Sequence, residues 1–212
     1  MNELNHFDPS PRDSPPRPRP SSLTPHPSMA GEVGSGDDDA ERVGGGFHVV
    51  LVEPEIAGNT GAIGRTCVAV GATLWLVRPL GFRLDDRHRR RAGLDYWEHL
   101  SWRVVDHLDE VVAALGHDRL WSFSTKAQQP YTRVAYRRGD GLVFGSESRG
   151  LPGAWTSSRP DRLVRIPIRP EARSLNLGTA AAIALFEAVR QVDAAGDAGA
   201  GGLGARKETP RT

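Results

Sequence analysis

An α/β fold, a parallel sheet flanked by helices, is predicted from three features of the chain. The run FHVVLVEP, residues 47–54, has the apolar content of a buried strand. Behind it, Ala62, Ile63, Thr66, Cys67 and Val70 recur at helical spacing, and GATLWLVRP, residues 71–79, is a second strand. Strand, helix and strand within about 32 residues make a βαβ unit, whose crossover is right-handed and whose strands are parallel. WRVVD, DRLWSFST, DGLVFGSES and RLVRIPI supply four further runs of strand length, about six strands in all.

DHLDEVVAALG, residues 106–116, carries the i, i+3, i+4 pattern of an amphipathic helix. The last helix is expected from about Leu177 to Val192 and is apolar around nearly its whole circumference as far as Phe186. A helix greasy on all sides must be covered on all sides. One face covers its own sheet, and the Ala-rich remainder predicts a homodimer through this C-terminal helix.

Composition divides the chain into three. Residues 1–46 hold 8 of the 16 prolines and almost no periodic hydrophobics, so an arm rich in Pro and Gly is expected to be disordered. Residues 47–192 form the folded domain, and 193–212 are a second low-complexity tail. There is neither a secretory apolar segment nor a run of 18 apolar residues, which predicts a cytoplasmic protein with no membrane association. The folded part carries 20 basic and 15 acidic residues, a net +5, and 19 of the 20 are arginine. Planar guanidinium groups suit phosphate, although a coding bias toward arginine has the same signature. A single cysteine, Cys67, excludes an internal disulfide and a Cys-rich zinc site.

Three loops follow strands and carry small and polar residues beyond what a turn needs. In EPEIAGNTGAIGRT, Asn59 is placed to cap the following helix and Arg65 lies beside its apolar stripe. In VFGSESRGLP, Gly145 and Gly150 permit close backbone approach, while Glu147 and Arg149 present opposite charges. In IPIRPEARSLNLGTA, Ser174 or Asn176 caps the terminal helix. Ligands of open parallel sheets bind beyond the carboxyl ends of the strands, where these loops converge. The dinucleotide fingerprint, the P-loop and a metal-spaced His pair are all missing, which weakens dehydrogenase, P-loop and metallohydrolase readings together.

Taken in order, EPEIAGNTGAIGRTC, LVFGSESRGLP and IPIRPEARSLNLGTAAAIALFEA resemble the three signature motifs of the SPOUT superfamily of RNA methyltransferases, in its ribose 2′-O branch. GFRLDDRHRRRAGLDYWEH and STKAQQPYT are most similar to the small single-domain enzymes that methylate the wobble nucleotide of leucine tRNAs. Two positions depart from the pattern: relatives usually carry prolines around Ala57–Gly58 and a tyrosine at Phe186.

The resemblance implies a deep trefoil knot near the carboxyl end, a dimer burying the terminal helix, and S-adenosylmethionine as cofactor without a metal. It places cofactor contacts at Phe123, Gly145, Ile166, Ser174 and Leu175. It makes Asn59, Arg65, Glu147 and Asn176 the catalytic set, with Arg65 as electrostatic positioner because a guanidinium stays protonated. Arg87, Arg89, Arg90, Arg91 and Arg149 are implied contacts to tRNA. A related enzyme acting on another tRNA position or on rRNA, and a knotted RNA-binding protein without methyl transfer, remain the alternatives.

Overall fold

The structure, a computed structural model, describes residues 46–84 and 95–196. Seven strands form one sheet: β1 (His48–Val52), β2 (Thr73–Val77), β3 (Trp102–Val105), β4 (Leu120–Phe123), β5 (Gln129–Pro130), β6 (Gly141–Phe144) and β7 (Leu163–Arg165). Their order is β3-β2-β1-β6-β4-β7-β5, and every pairing is parallel. The helices are α1 (Ala57–Val70), α2 (Leu108–Leu115), α3 (Gly153–Ser158) and α4 (Leu177–Gly196).

β1 is apolar on consecutive positions because the sheet is covered on both faces. Val49 and Leu51 point into a cluster with Ile63, Cys67 and Val70 of α1 and with Ala181, Leu185 and Val189 of α4. Val50 and Val52 point the other way, toward Val111 of α2 and, at its margin, Trp155 of α3. The result is three layers, with α1 and α4 on one face and α2 and α3 on the other. Gly71 ends α1 in the left-handed conformation, φ 69°, which lets the Ala72 N–H reach the Cys67 carbonyl at 2.9 Å.

The six expected strands are all present. The seventh, β5, is two residues long, ends in proline and lies on the sheet edge, where neither periodicity nor apolar content marks it. α3, six residues of GAWTSS, is likewise too short to show a period. α4 continues to Gly196, four residues past its expected end.

Candidate active site

Loops from β1, β4, β6 and β7 meet beyond the carboxyl edge of the sheet and enclose a cleft of about 710 Å³. Its walls are Ile56 and Asn59 at the start of α1, Ser124 to Lys126 after β4, Ser146 to Leu151 after β6, and Ser174 to Leu177 before and at the start of α4. A recess of about 90 Å³ opens beside it, walled by Phe123, Ile166, Ile168 and Ala180 and sharing Ser124, Thr125, Ser174 and Leu175 with the cleft.

The polar wall is organised by one carboxylate. α1 begins at Ala57 with Ile56 as its first flanking residue, and Ile56 has no side chain that can cap. Glu147, arriving from the turn after β6, does so instead. Its Oε2 accepts the Glu55 N–H at 2.8 Å, and its Oε1 accepts the Ile56 N–H at 3.3 Å and the Asn59 side-chain amide at 2.9 Å. A negative group at a helix N-terminus also meets the positive end of its dipole.

Asn59 is then held from its other side, since its Oδ1 accepts the Asn176 amide at 2.9 Å. Asn176 completes the chain by capping α4, its Oδ1 accepting the Thr179 N–H at 3.2 Å. Glu147, Asn59 and Asn176 thus form one hydrogen-bonded line through three loops. Burial pushes the Glu147 carboxyl upward. The bonds from Asn59, Glu55 and Ile56 outweigh it, so its pKa lies below the ordinary glutamate value. It is an anion at neutral pH with its oxygens already engaged.

One local expectation is corrected here. Asn59 does not cap α1: it lies inside the first turn, and the cap comes from Glu147. For α4 the structure chooses Asn176 over Ser174.

Phe123, Ile166, Ser174 and Leu175 come together around the recess, as the motif reading groups them. Gly145 sits under the adjoining turn, where an added Cβ would fall 2.0 Å from the Gly150 carbonyl carbon and 2.1 Å from the Leu151 nitrogen. Only glycine fits there. Arg149 lines the cleft and pairs with Glu53 at 2.7 Å. Arg65 is exposed on α1, outside the lining of either cavity. Six residues at about 100° each put it on a different side of the helix from Asn59. Arg87, Arg89, Arg90 and Arg91 lie outside the described residues.

Sequence reasoning missed Glu53, Glu55 and Ser148, all engaged between the first two loops, and gave no role to Lys126, the single lysine of the folded part, which lines the cleft. The signal for the acids was the spacing of EPE against SESR, which has meaning only once the loops are seen side by side.

The chain belongs to the SpoU rRNA Methylase family, whose model matches residues 46–186. It is 47% identical over 155 residues to a tRNA (cytidine(34)-2′-O)-methyltransferase of Burkholderia pseudomallei strain 1106a, covering 72% of this chain and 99% of that protein. A protein of the same name from Methylovorus glucosotrophus strain SIP3-4 is 44% identical over 151 residues, covering 71% and 98%.

Among solved structures, one concerned with the 2-OH methylation of C/U34 on tRNA aligns with TM-score 0.65 at 41% identity, covering 70% of this chain and 97% of that one. The SpoU methyltransferase AviRb of Streptomyces viridochromogenes, in complex with AdoMet, aligns with TM-score 0.61 at 27% identity, covering 74% and 63%.

Proposed function

We propose that this chain is an S-adenosylmethionine-dependent methyltransferase that methylates the ribose 2′-oxygen of the wobble nucleotide, position 34, of tRNA. A cytidine or uridine derivative is the target, and leucine tRNAs are the first candidates. The observation that carries this reading is the Glu147–Asn59–Asn176 line in the wall of a cleft that opens onto an apolar recess. The names of the relatives and of the aligned structures support it.

The residues present fit the cofactor. The recess offers the apolar and aromatic surface of Phe123, Ile166 and Leu175 beside the Ser174 hydroxyl, and Gly145 keeps the neighbouring turn closed. Those five residues would hold S-adenosylmethionine, which supplies an electrophilic methyl group when bound. The protein's own task is alignment of the 2′-oxygen, since an in-line displacement depends steeply on approach.

Asn59 suits that task because its amide is clamped at both ends, leaving one N–H and one oxygen lone pair to address a ribose. Ser174 and Asn176 line the same cleft. Glu147 orients Asn59 and, with its oxygens occupied and its pKa held down, is a poor proton acceptor. Arg65 enters from the exposed side of α1 as an electrostatic positioner of the nucleotide and its phosphate. Arg149, Arg87, Arg89, Arg90 and Arg91 supply charge for the tRNA backbone.

Three finer features belong to this reading. The outward stripe of α4, with Phe186 49% exposed and Ala182 and Ile183 half-buried, supports a homodimer through that helix. A trefoil knot is supported by the route of the last elements. β7 pairs with β4 rather than β6, and α4 then returns to the α1 face past the closed 146–150 turn. The folded domain begins at 47 and, with α4 running to Gly196, ends four residues beyond the expected 192; it acts in the cytoplasm. No helix among the described residues is long and apolar enough to cross a membrane.

The test is nucleoside mass spectrometry of unmodified leucine tRNA incubated with S-adenosylmethionine and either wild type or Arg65→Ala. A 2′-O-methylated nucleotide 34 with wild type and its loss with the variant is expected. Methylation at another position, or none, contradicts the proposed target.

A further inference from the structure

The loops that carry Asn59 and Glu147 are joined a second time, by a side chain that does not line the cleft. Glu55 accepts the Ser148 N–H at 3.1 Å and the Ser148 hydroxyl on its other oxygen. Its own N–H donates to Glu147 at 2.8 Å. Two adjacent residues of one loop therefore exchange hydrogen bonds, in both directions, with a single residue of the other.

Nothing local orients the 146–150 turn toward α1. Its internal bonds, Gly150 N–H to the Ser146 carbonyl at 2.8 Å and Arg149 N–H to the Ser146 hydroxyl at 3.3 Å, close the turn on itself. Glu55, by contrast, is fixed from behind. The Gly81 N–H donates to the Pro54 carbonyl at 2.9 Å, and a Cβ at position 81 would lie 2.7 Å from both the Glu55 Cα and its carbonyl oxygen. A third tie, Arg149 to Glu53 at 2.7 Å, sits beside it, and Glu53 holds a left-handed φ of 52°, unusual for a residue with a side chain.

We propose that Glu55 is a positioning residue for methyl transfer. By gripping both Ser148 donors it sets the Glu147 carboxylate square to the start of α1, and through Glu147 it fixes the orientation of Asn59 in the cleft wall. This rests on the reading of the cleft as the methyl-transfer site. A carboxylate that must face two N–H groups and one side-chain amide has little angular latitude, and displacement chemistry loses rate steeply when a positioning group drifts by an ångström. The recess has neither Glu55 nor Ser148 in its lining, so the effect falls on alignment of the RNA and leaves cofactor affinity alone.

Steady-state methylation of tRNA, calorimetry with S-adenosylmethionine and thermal melting of wild type, Glu55→Gln, Glu55→Ala and Ser148→Ala test this. Glu55→Ala lowers kcat about ten- to a hundredfold, with the cofactor Kd unchanged. Glu55→Gln, whose side-chain oxygen still accepts the Ser148 N–H, recovers most of the rate, and Ser148→Ala loses less than Glu55→Ala. An unchanged kcat in Glu55→Ala overturns the proposal. So does a loss that Glu55→Gln fails to recover and that comes with weakened cofactor binding.

If wild type itself binds cofactor but leaves nucleotide 34 unmethylated, it is the proposed function that fails. Hydrogen exchange at the N–H groups of residues 55–60 then decides the positioning claim. Faster exchange in Glu55→Ala than in Glu55→Gln supports it, and equal exchange overturns it.

Discussion

The two ends of the sheet treat their polar groups in opposite ways. At the carboxyl end, Glu147, Asn59 and Asn176 are tied into a line by hydrogen bonds between loops some 90 to 117 residues apart, yet Asn176 is exposed and the other two half-buried. At the amino end, polar groups are stacked on aromatic rings. The Trp75 N–H donates to His48 Nδ1 at 3.2 Å under the Arg103 guanidinium, Arg159 lies 4.9 Å from the Trp155 ring centre, and Arg162 lies 4.6 Å from that of Trp121. One end orients groups and leaves them reachable. The other lays guanidinium groups on indole rings, with Arg159 buried, Arg162 partly buried and Arg103 exposed. Hydrogen-bond partners without burial mark the site here; buried charge alone does not.

Substitutions that act on one end only sharpen this contrast. The largest effect is expected from Gly145→Ala, whose methyl would collide with backbone at 2.0 Å. It should cost about 3 kcal/mol or more in urea unfolding and abolish cofactor binding, because backbone cannot yield as a side-chain tip does.

Next, Glu147→Ala strips three donors of their acceptor. It should lower stability by about 1–3 kcal/mol and kcat at least about tenfold, with Glu147→Gln intermediate in both.

At the amino end the effect is on stability against pH. Burial first, and then Arg103, push the His48 pKa down to about 4. A depressed native pKa means that stability is complete above the unfolded value and is lost as pH falls toward the folded one. The urea midpoint should therefore drop between pH 7 and pH 5, by about 1–2 kcal/mol in stability. His48→Asn, which keeps an acceptor for Trp75 but does not titrate, should flatten that drop, while methyl transfer at pH 7 stays unchanged.

The smallest effect is a gain. Gly58 lies in the first turn of α1 with open space around it, so Gly58→Ala should raise stability by about 0.4–1 kcal/mol by restricting the unfolded chain.

How much of this was legible depended on distance along the chain. The β1-α1-β2 unit was readable because each strand is long and apolar on successive residues, and α1 keeps its helical stripe. A cap of α4 at Ser174 or Asn176 was readable because the N–H it serves, that of Thr179 for Asn176, is only three residues away. The Glu147 cap was not, being 91 residues from Ile56. Without it the start of α1 was assigned to Asn59, the nearest residue that could cap. The recess residues were grouped by resemblance to family motifs, since walls of Phe, Ile and Leu have no chemical signature of their own. Glu55 escaped notice for the physical reason that makes it interesting: it acts on a loop about 93 residues away and lines neither the cleft nor the recess.

The central claim is methyl transfer to one ribose oxygen, and the most direct measurement compares two tRNAs that differ in that atom. Leucine tRNA with an ordinary ribose at position 34, and the same tRNA with 2′-deoxyribose there, would each be incubated with the protein and methyl-labelled S-adenosylmethionine. Label in the first and background in the second is the predicted result. Equal label in both would place the methyl group elsewhere and contradict the account.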